Sequence, residues 1–247
     1  MIRTYLLAVI VPIYMIVVGG PLLLLALLTG RTDALYKAGV MGARLALWVA
    51  GAKVESCGLM KIPRGQAAVY MPNHQSISDP AAVLSLTPPM LVLVKKEFFR
   101  VPFLGLAMKL RGFILVDRRN REQARAAVEQ AAAKLRAGYS FLAYPEGTRS
   151  PDGHLQPFKK GVFRMAAQAG APIVPISVSG SSKILRKGEW RVHPGTIRLT
   201  FHDPIPTEGL TADDLNGLMM RVRRAIISGL ADDERPLDSV FAGGELE

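Results

Sequence analysis

Histidine titrates close to neutrality and can take a proton from a hydroxyl, most effectively when a carboxylate fixes its tautomer. In NHQSISDP, residues 73–80, His74 is followed five positions later by Asp79. One reading makes Asp79 the acceptor for an imidazole N–H, so that His74 activates a substrate alcohol for attack on an acyl donor. The other makes Asp79 a helix N-cap with Pro80 in the first turn, positions that both residue types favour. Both readings stay open on residue type alone. Ser76 and Ser78 stand between the pair as rival nucleophiles, but neither lies in a G-x-S-x-G elbow, which argues against an acyl-serine intermediate.

A second polar stretch, YPEGTRS at 144–150, supplies a carboxylate (Glu146), a glycine (Gly147), a hydroxyl (Thr148) and a guanidinium (Arg149). Glycine lets the backbone approach a ligand closely, and the planar arginine fork suits phosphate. The plainer alternative is a surface turn continuing into Pro151-Asp152-Gly153. Arg118 and Lys159 offer further cations, with solvated surface charge as their alternative. The single cysteine, Cys57, excludes an internal disulfide and reads as a small buried hydrophobe rather than a nucleophile.

These residues are far apart in the chain, so elements must bring them together. From Lys53 onward, short apolar runs alternate with helical segments, the pattern of βαβ units around a mostly parallel sheet. Residues 67–71 lead into Pro72, Asn73 and His74; 91–94 into Lys95 and Lys96; 113–116 into Asp117 and Arg118; 140–144 into PEGTRS. An alanine-rich helix over 120–136, closed by Gly138, joins the third run to the fourth as a crossover, which sets their carboxyl ends at one edge. Ligand crevices lie outside the carboxyl ends of strands in open α/β sheets, so His74, Arg118 and PEGTR are expected to converge. Further strands are expected at 173–178 and 196–201, and helices at 162–169 and 213–230. The acidic tail from Asp232 reads as mobile.

The chain of 247 residues carries 31 Lys and Arg against 20 Asp and Glu, a net charge of +11 that favours an anionic partner. No helix-turn-helix, zinc-finger or RNA-binding signature accompanies it, so nucleic acid is not the expected partner. No charged residue occurs between Arg3 and Arg31, a run long enough to cross a hydrocarbon core. Pro12 and Gly19-Gly20-Pro21 interrupt it, leaving a kinked span or a shallow re-entrant hairpin. It is overlong for a signal peptide and lacks a clear cleavage site. A second helix over 34–51 places Lys37 and Arg44 on one side and is expected in the bilayer interface, with ordinary core packing as the alternative. The cations following the apolar run put the remainder of the chain on the cytoplasmic side of an inner membrane. The expected organisation is thus a membrane-associated two-helix segment over 1–50, an α/β domain over 51–231 and a tail over 232–247.

NHQSISDP, GFILVDR at 112–118, YPEGTRS and APIVPIS at 171–177 together resemble, in order and spacing, the four blocks of the glycerolipid acyltransferases, most nearly the bacterial lysophosphatidic acid acyltransferases. The resemblance covers roughly 50–205. It implies His74 as general base, Asp79 as its partner, and Arg118, Glu146, Gly147, Thr148 and Arg149 as contacts to a glycerol phosphate acceptor; Lys159 is added from the sequence as a further cation, and Pro175 is implied to shape a substrate pocket. Phenylalanine is common in the family where this chain has Tyr144. The implied reaction moves an acyl group from acyl-CoA or acyl carrier protein to lysophosphatidic acid, without metal or tightly bound cofactor. Another lysophospholipid or lyso-aminolipid acceptor, and a non-catalytic lipid-binding module, are the alternatives.

Overall fold

The structure, a computed structural model, describes residues 1–117 and 120–237. Seven strands form one sheet: β1 Ala52–Cys57, β2 Val69–Pro72, β3 Leu91–Lys95, β4 Ile114–Val116, β5 Phe141–Leu142, β6 Ile173–Ser179 and β7 Gly195–Phe201, in the order β1-β7-β6-β2-β5-β3-β4. All neighbours are parallel except β6 and β7. The helices are α1 Ile2–Tyr14, α2 Gly20–Thr29, α3 Asp33–Ala50, α4 Asp79–Leu84, α5 Leu104–Arg111, α6 Arg121–Arg136, α7 Lys160–Ala169, α8 Ser181–Ile184 and α9 Leu215–Ser228.

Strands buried on both faces need apolar residues at every position, and β2 is buried throughout. Its side chains alternate between two cores. Val69 and Met71 join Phe163, Leu218 and Val222 on the face covered by α6, α7 and α9, while Tyr70, with Ala68 just before the strand, joins Leu47, Ala82 and Phe201 on the face covered by α3 and α4. Pro175 sits within β6 without breaking the sheet: β7 pairing starts at Ile176, and Ile173 bridges Ile205 on the other side of the proline. Its carbonyl accepts the His202 N–H at 3.0 Å, which fixes Pro175 within the sheet.

The apolar N-terminus is helical from Ile2 to Thr29, 28 residues and so about 42 Å long, which excludes a re-entrant hairpin within it. A π-helical turn, Met15–Gly19, is followed by Gly20 and Pro21, and the chain stays helical through them. α3 folds back against α1, where Tyr14 donates to the Ala38 carbonyl at 2.9 Å. Gly42 makes this approach possible, since a Cβ there would lie 2.7 Å from the Tyr14 ring.

Several expectations are corrected. The C-terminal end of α3 packs on the domain: Leu47 and Ala50 belong to its core, and Arg44 donates to the Ser85 carbonyl instead of reaching headgroups, while Met41 and Trp48 stay exposed. Cys57 is exposed, because it ends the edge strand β1. β1 itself, with its polar sequence, carries no apolar run that marks a strand. The tail is docked as far as described: Asp232–Glu234 form a 3-10 turn, and Glu234 is buried with its Oε1 accepting the Gly180 N–H at 2.7 Å. Residues 238–247 of the expected mobile tail lie outside the described residues.

Candidate active site

β2, β3, β4, β5 and β6 run parallel, so the segments after their carboxyl ends share one edge. His74 follows β2 there. The ladder between β2 and β6 closes at Pro72, and the Asn73 side chain extends it: Nδ2 donates to the Val178 carbonyl at 2.8 Å and Oδ1 accepts the Val178 N–H at 2.7 Å. Asn73 is wholly buried, so these bonds have no water to compete with them.

Asp79 is not the N-cap. It is the first residue of α4 after Ser78, and its carboxylate turns back over the loop that precedes the helix. Its Oδ2 accepts from His74 Nδ1 at 2.8 Å, the Gln75 N–H at 2.7 Å and the Ser76 N–H at 2.8 Å. Oδ1 is buried without a hydrogen-bond partner among the described residues. With an acceptor of this kind facing Nδ1, the neutral imidazole carries its hydrogen there, and Nε2 is left with a lone pair. Nε2 makes no hydrogen bond among the described residues, and the side chain is 15% exposed.

The loop is held from other sides too. The Ser150 N–H donates to the His74 carbonyl at 2.7 Å, and Gln75 Nε2 donates to the Gly153 carbonyl at 2.9 Å. Ser76 Oγ donates to the Leu185 carbonyl at 2.7 Å, and Ser78 Oγ donates to Ser76 Oγ at 3.0 Å, so both hydroxyls are engaged in holding the loop. The Tyr144 ring stacks on the His74 ring, centroids 3.9 Å apart at 23°, and restrains its rotation.

Glu146 departs from the expected role at the acceptor. It is 2% exposed, its Oε1 accepts the His74 N–H at 2.6 Å and its Oε2 accepts the Gln156 N–H at 3.2 Å, so the carboxyl group braces the His74 backbone. Burial pushes its pKa up to about 8, against the opposing effect of those two N–H donors; Asp79 raises it further and Arg223 lowers it. Arg223, part of a cationic cluster in the sequence, is itself buried, donates to the Gln156 carbonyl at 2.7 Å and lies over the Phe158 ring.

The outer half of PEGTR is open. Thr148 is exposed and Arg149 half-buried, and neither side chain makes a hydrogen bond among the described residues. Gly147 has φ +70°, and a Cβ there would lie 3.0 Å from Cδ of the Lys159 side chain, which crosses it. The Lys159 N–H donates to the Pro145 carbonyl at 2.8 Å, bringing that exposed ammonium to the same loop. Arg118 lies outside the described residues; next to it, Asp117 is paired with Lys96. The structure thus gathers His74, Asp79, Glu146, Gly147, Thr148, Arg149 and Lys159 at one edge. Asn73, Gln75 and the stacking of Tyr144 were not singled out from the sequence, although Asn73 carries one signal: a polar amide directly after a proline that ends a strand.

The family model described as Acyltransferase matches residues 53–179. The chain is 36% identical over 180 residues to the 1-acyl-sn-glycerol-3-phosphate acyltransferase alpha of Homo sapiens, covering 72% of this chain and 64% of that protein. It is 34% identical over 197 residues to the 1-acyl-sn-glycerol-3-phosphate acyltransferase of Limnanthes alba, covering 79% and 69%. The crystal structure of the 1-acyl-sn-glycerophosphate acyltransferase of Thermotoga maritima superposes with a TM-score of 0.81 at 26% identity, over 92% of this chain and 93% of that one. The sheet order, the paired His74 and Asp79 and these likenesses agree: the chain belongs to the acyltransferase family, among the relatives of the 1-acyl-sn-glycerol-3-phosphate acyltransferases.

Proposed function

We propose that this protein transfers a fatty acyl group from a thioester, acyl-CoA or acyl carrier protein, to the sn-2 hydroxyl of 1-acyl-sn-glycerol 3-phosphate, forming phosphatidate. The observation that carries the reading is the Oδ2 contact of Asp79 to His74 Nδ1 at 2.8 Å, which leaves Nε2 as the basic nitrogen. As the hydroxyl oxygen attacks the thioester carbonyl, its proton moves to Nε2. The tetrahedral oxyanion then collapses, the carbon–sulfur bond breaks and the departing thiolate takes the proton from the imidazolium. Asp79 stabilises that imidazolium, and Arg149 with Lys159 receives the acceptor phosphate, assisted by Arg118. No metal or bound cofactor enters these steps. The relatives' names support the acceptor.

The apolar helix Ile2–Thr29 anchors residues 1–50 in the membrane, with the α/β domain on the cytoplasmic side of the inner membrane. Purified protein assayed with defined thioester donors and a panel of acceptors tests the whole reading. His74→Ala is expected to fold normally and to lose about a thousandfold in acyl transfer. Undiminished turnover in that variant removes the general base, and equal use of a phosphate-free acceptor removes the assignment of the phosphate.

A further inference from the structure

Arg186, Lys187 and Arg191 lie in one exposed loop, residues 185–194, between α8 and β7, with Glu189 as its only acid. None of the three cations forms an ion pair with a carboxylate among the described residues, whereas nearby Lys183 is paired with Asp233 at 2.8 Å. The start of the loop is fastened to both halves of the active site. Ser76 Oγ donates to the Leu185 carbonyl at 2.7 Å, and Lys187 Nζ donates to the Arg149 carbonyl at 2.9 Å.

Its far end is fastened to the apolar helix. The Val192 N–H donates to Thr4 Oγ1 at 3.0 Å, and the Trp190 ring meets Tyr5 of α1 edge-on, centroids 6.3 Å apart at 64°. Both aromatics face solvent, Trp190 at 60% exposure and Tyr5 at 59%. Indole and phenol rings concentrate at the headgroup level of bilayers, and lysine and arginine are drawn to an anionic surface there.

We propose that this loop is a second membrane contact, in which Trp190 and Tyr5 enter the headgroup layer and Arg186, Lys187 and Arg191 bind anionic lipid headgroups. The inference rests on the membrane anchoring proposed above and adds an orientation to it. A loop tied at one end to the His74 and Arg149 segments and at the other to the anchor holds the mouth of the site against the bilayer, where a lysolipid acceptor resides. An acidic carrier protein is the competing occupant of a cationic loop, but it has no use for an exposed aromatic pair seated on an apolar helix.

The chain has two tryptophans, Trp48 on α3 and Trp190 in the loop, so each can be read alone. Full-length protein is reconstituted into phosphatidylcholine vesicles with or without phosphatidylglycerol, in Trp48→Phe and Trp190→Phe backgrounds, using lipids brominated close to the glycerol as quenchers. Trp190 fluorescence should shift to the blue and be quenched in the anionic vesicles, and the Arg186→Glu, Arg191→Glu double variant should lose that quenching. Lys187 is left in place there because it holds Arg149. A Trp190 that stays unquenched while Trp48 is quenched overturns the loop contact and leaves the anchor standing; quenching of neither removes the anchor as well. Quenching of Trp190 that persists in the double variant, with KM raised only for acyl carrier protein thioesters, reassigns the cations to the carrier and overturns the proposal.

Discussion

The loop after β2 and the loop after β5 lie side by side at one edge of the sheet, and they are built in opposite ways. The residues that carry His74 are fastened by side-chain bonds: Asn73 with Val178, Gln75 with Gly153, Ser76 with Leu185, and Asp79 Oδ2 with three N–H donors. After Glu146, the second loop leaves Thr148, Arg149 and Lys159 at the surface. A base must meet a hydroxyl at one distance and angle, and fixing it in advance lowers the barrier. Cations that receive a phosphate do so through long side chains that settle after contact. Glu146 spans the two regimes, since it belongs to the open loop by sequence and to the fixed loop by its bonds.

Asp79→Asn breaks the fixed half most severely. Oδ2 accepts two backbone N–H groups besides the imidazole, so the amide oxygen of asparagine is directed to that position and its NH2 to the buried Oδ1 site. The tautomer of His74 is retained and the negative charge is lost. Turnover is expected to fall roughly 10²–10³-fold, within the range of general-base effects, with nitrogen NMR of His74 still reporting hydrogen on Nδ1. A shift of that hydrogen to Nε2 contradicts the role given to the two backbone donors.

Asn73→Ala tests whether the fixed loop depends on its extension of the sheet. Both Val178 backbone groups lose a buried partner, at about 1–3 kcal/mol each. A fall in Tm of about 5–15 °C is expected, together with a lower kcat for the folded protein. Unchanged stability would mean that the β2–β6 pairing alone secures His74.

Arg149→Ala addresses the open half. Loss of a charge-assisted bond of about 1.5–3 kcal/mol should raise KM for the phosphate-bearing acceptor roughly 10- to 100-fold, with little change in kcat or Tm. A large loss of stability would show that the open half is as fastened as the other.

The contrast also explains what the sequence could convey. β2, β3 and β6 begin or end within two residues of the apolar runs that marked them, because strands buried on both faces need unbroken apolar stretches. β1 pairs only with β7 at the sheet margin and needs no such run, so it left no mark. The gathering of His74 with PEGTR followed from parallel strands alone. Residue type could not show which way a carboxylate turns: Asp79 bends back toward His74 instead of capping α4, and Glu146 turns inward to a backbone N–H instead of outward to a ligand. Those directions depend on contacts across 72 residues in the case of Glu146 and His74.

Glu146 accordingly gives the finest test of the difference between the two halves. Its pKa is raised from 4.5 to about 8 in the folded protein, so the folded state holds the proton over a range in which the unfolded chain has released it. This contribution to stability is complete below about pH 4.5 and is lost as pH rises through about 8. Glu146→Gln removes the titration. Its carbonyl oxygen can still accept the His74 N–H, while its NH2 meets the Gln156 N–H, one donor facing another. The variant is therefore expected to be less stable near pH 6. Between pH 6 and 9 the wild type should lose about 1 kcal/mol or more relative to it, a few degrees in Tm. Parallel pH profiles for the two proteins would place the Glu146 carboxylate in contact with solvent and remove the brace from His74.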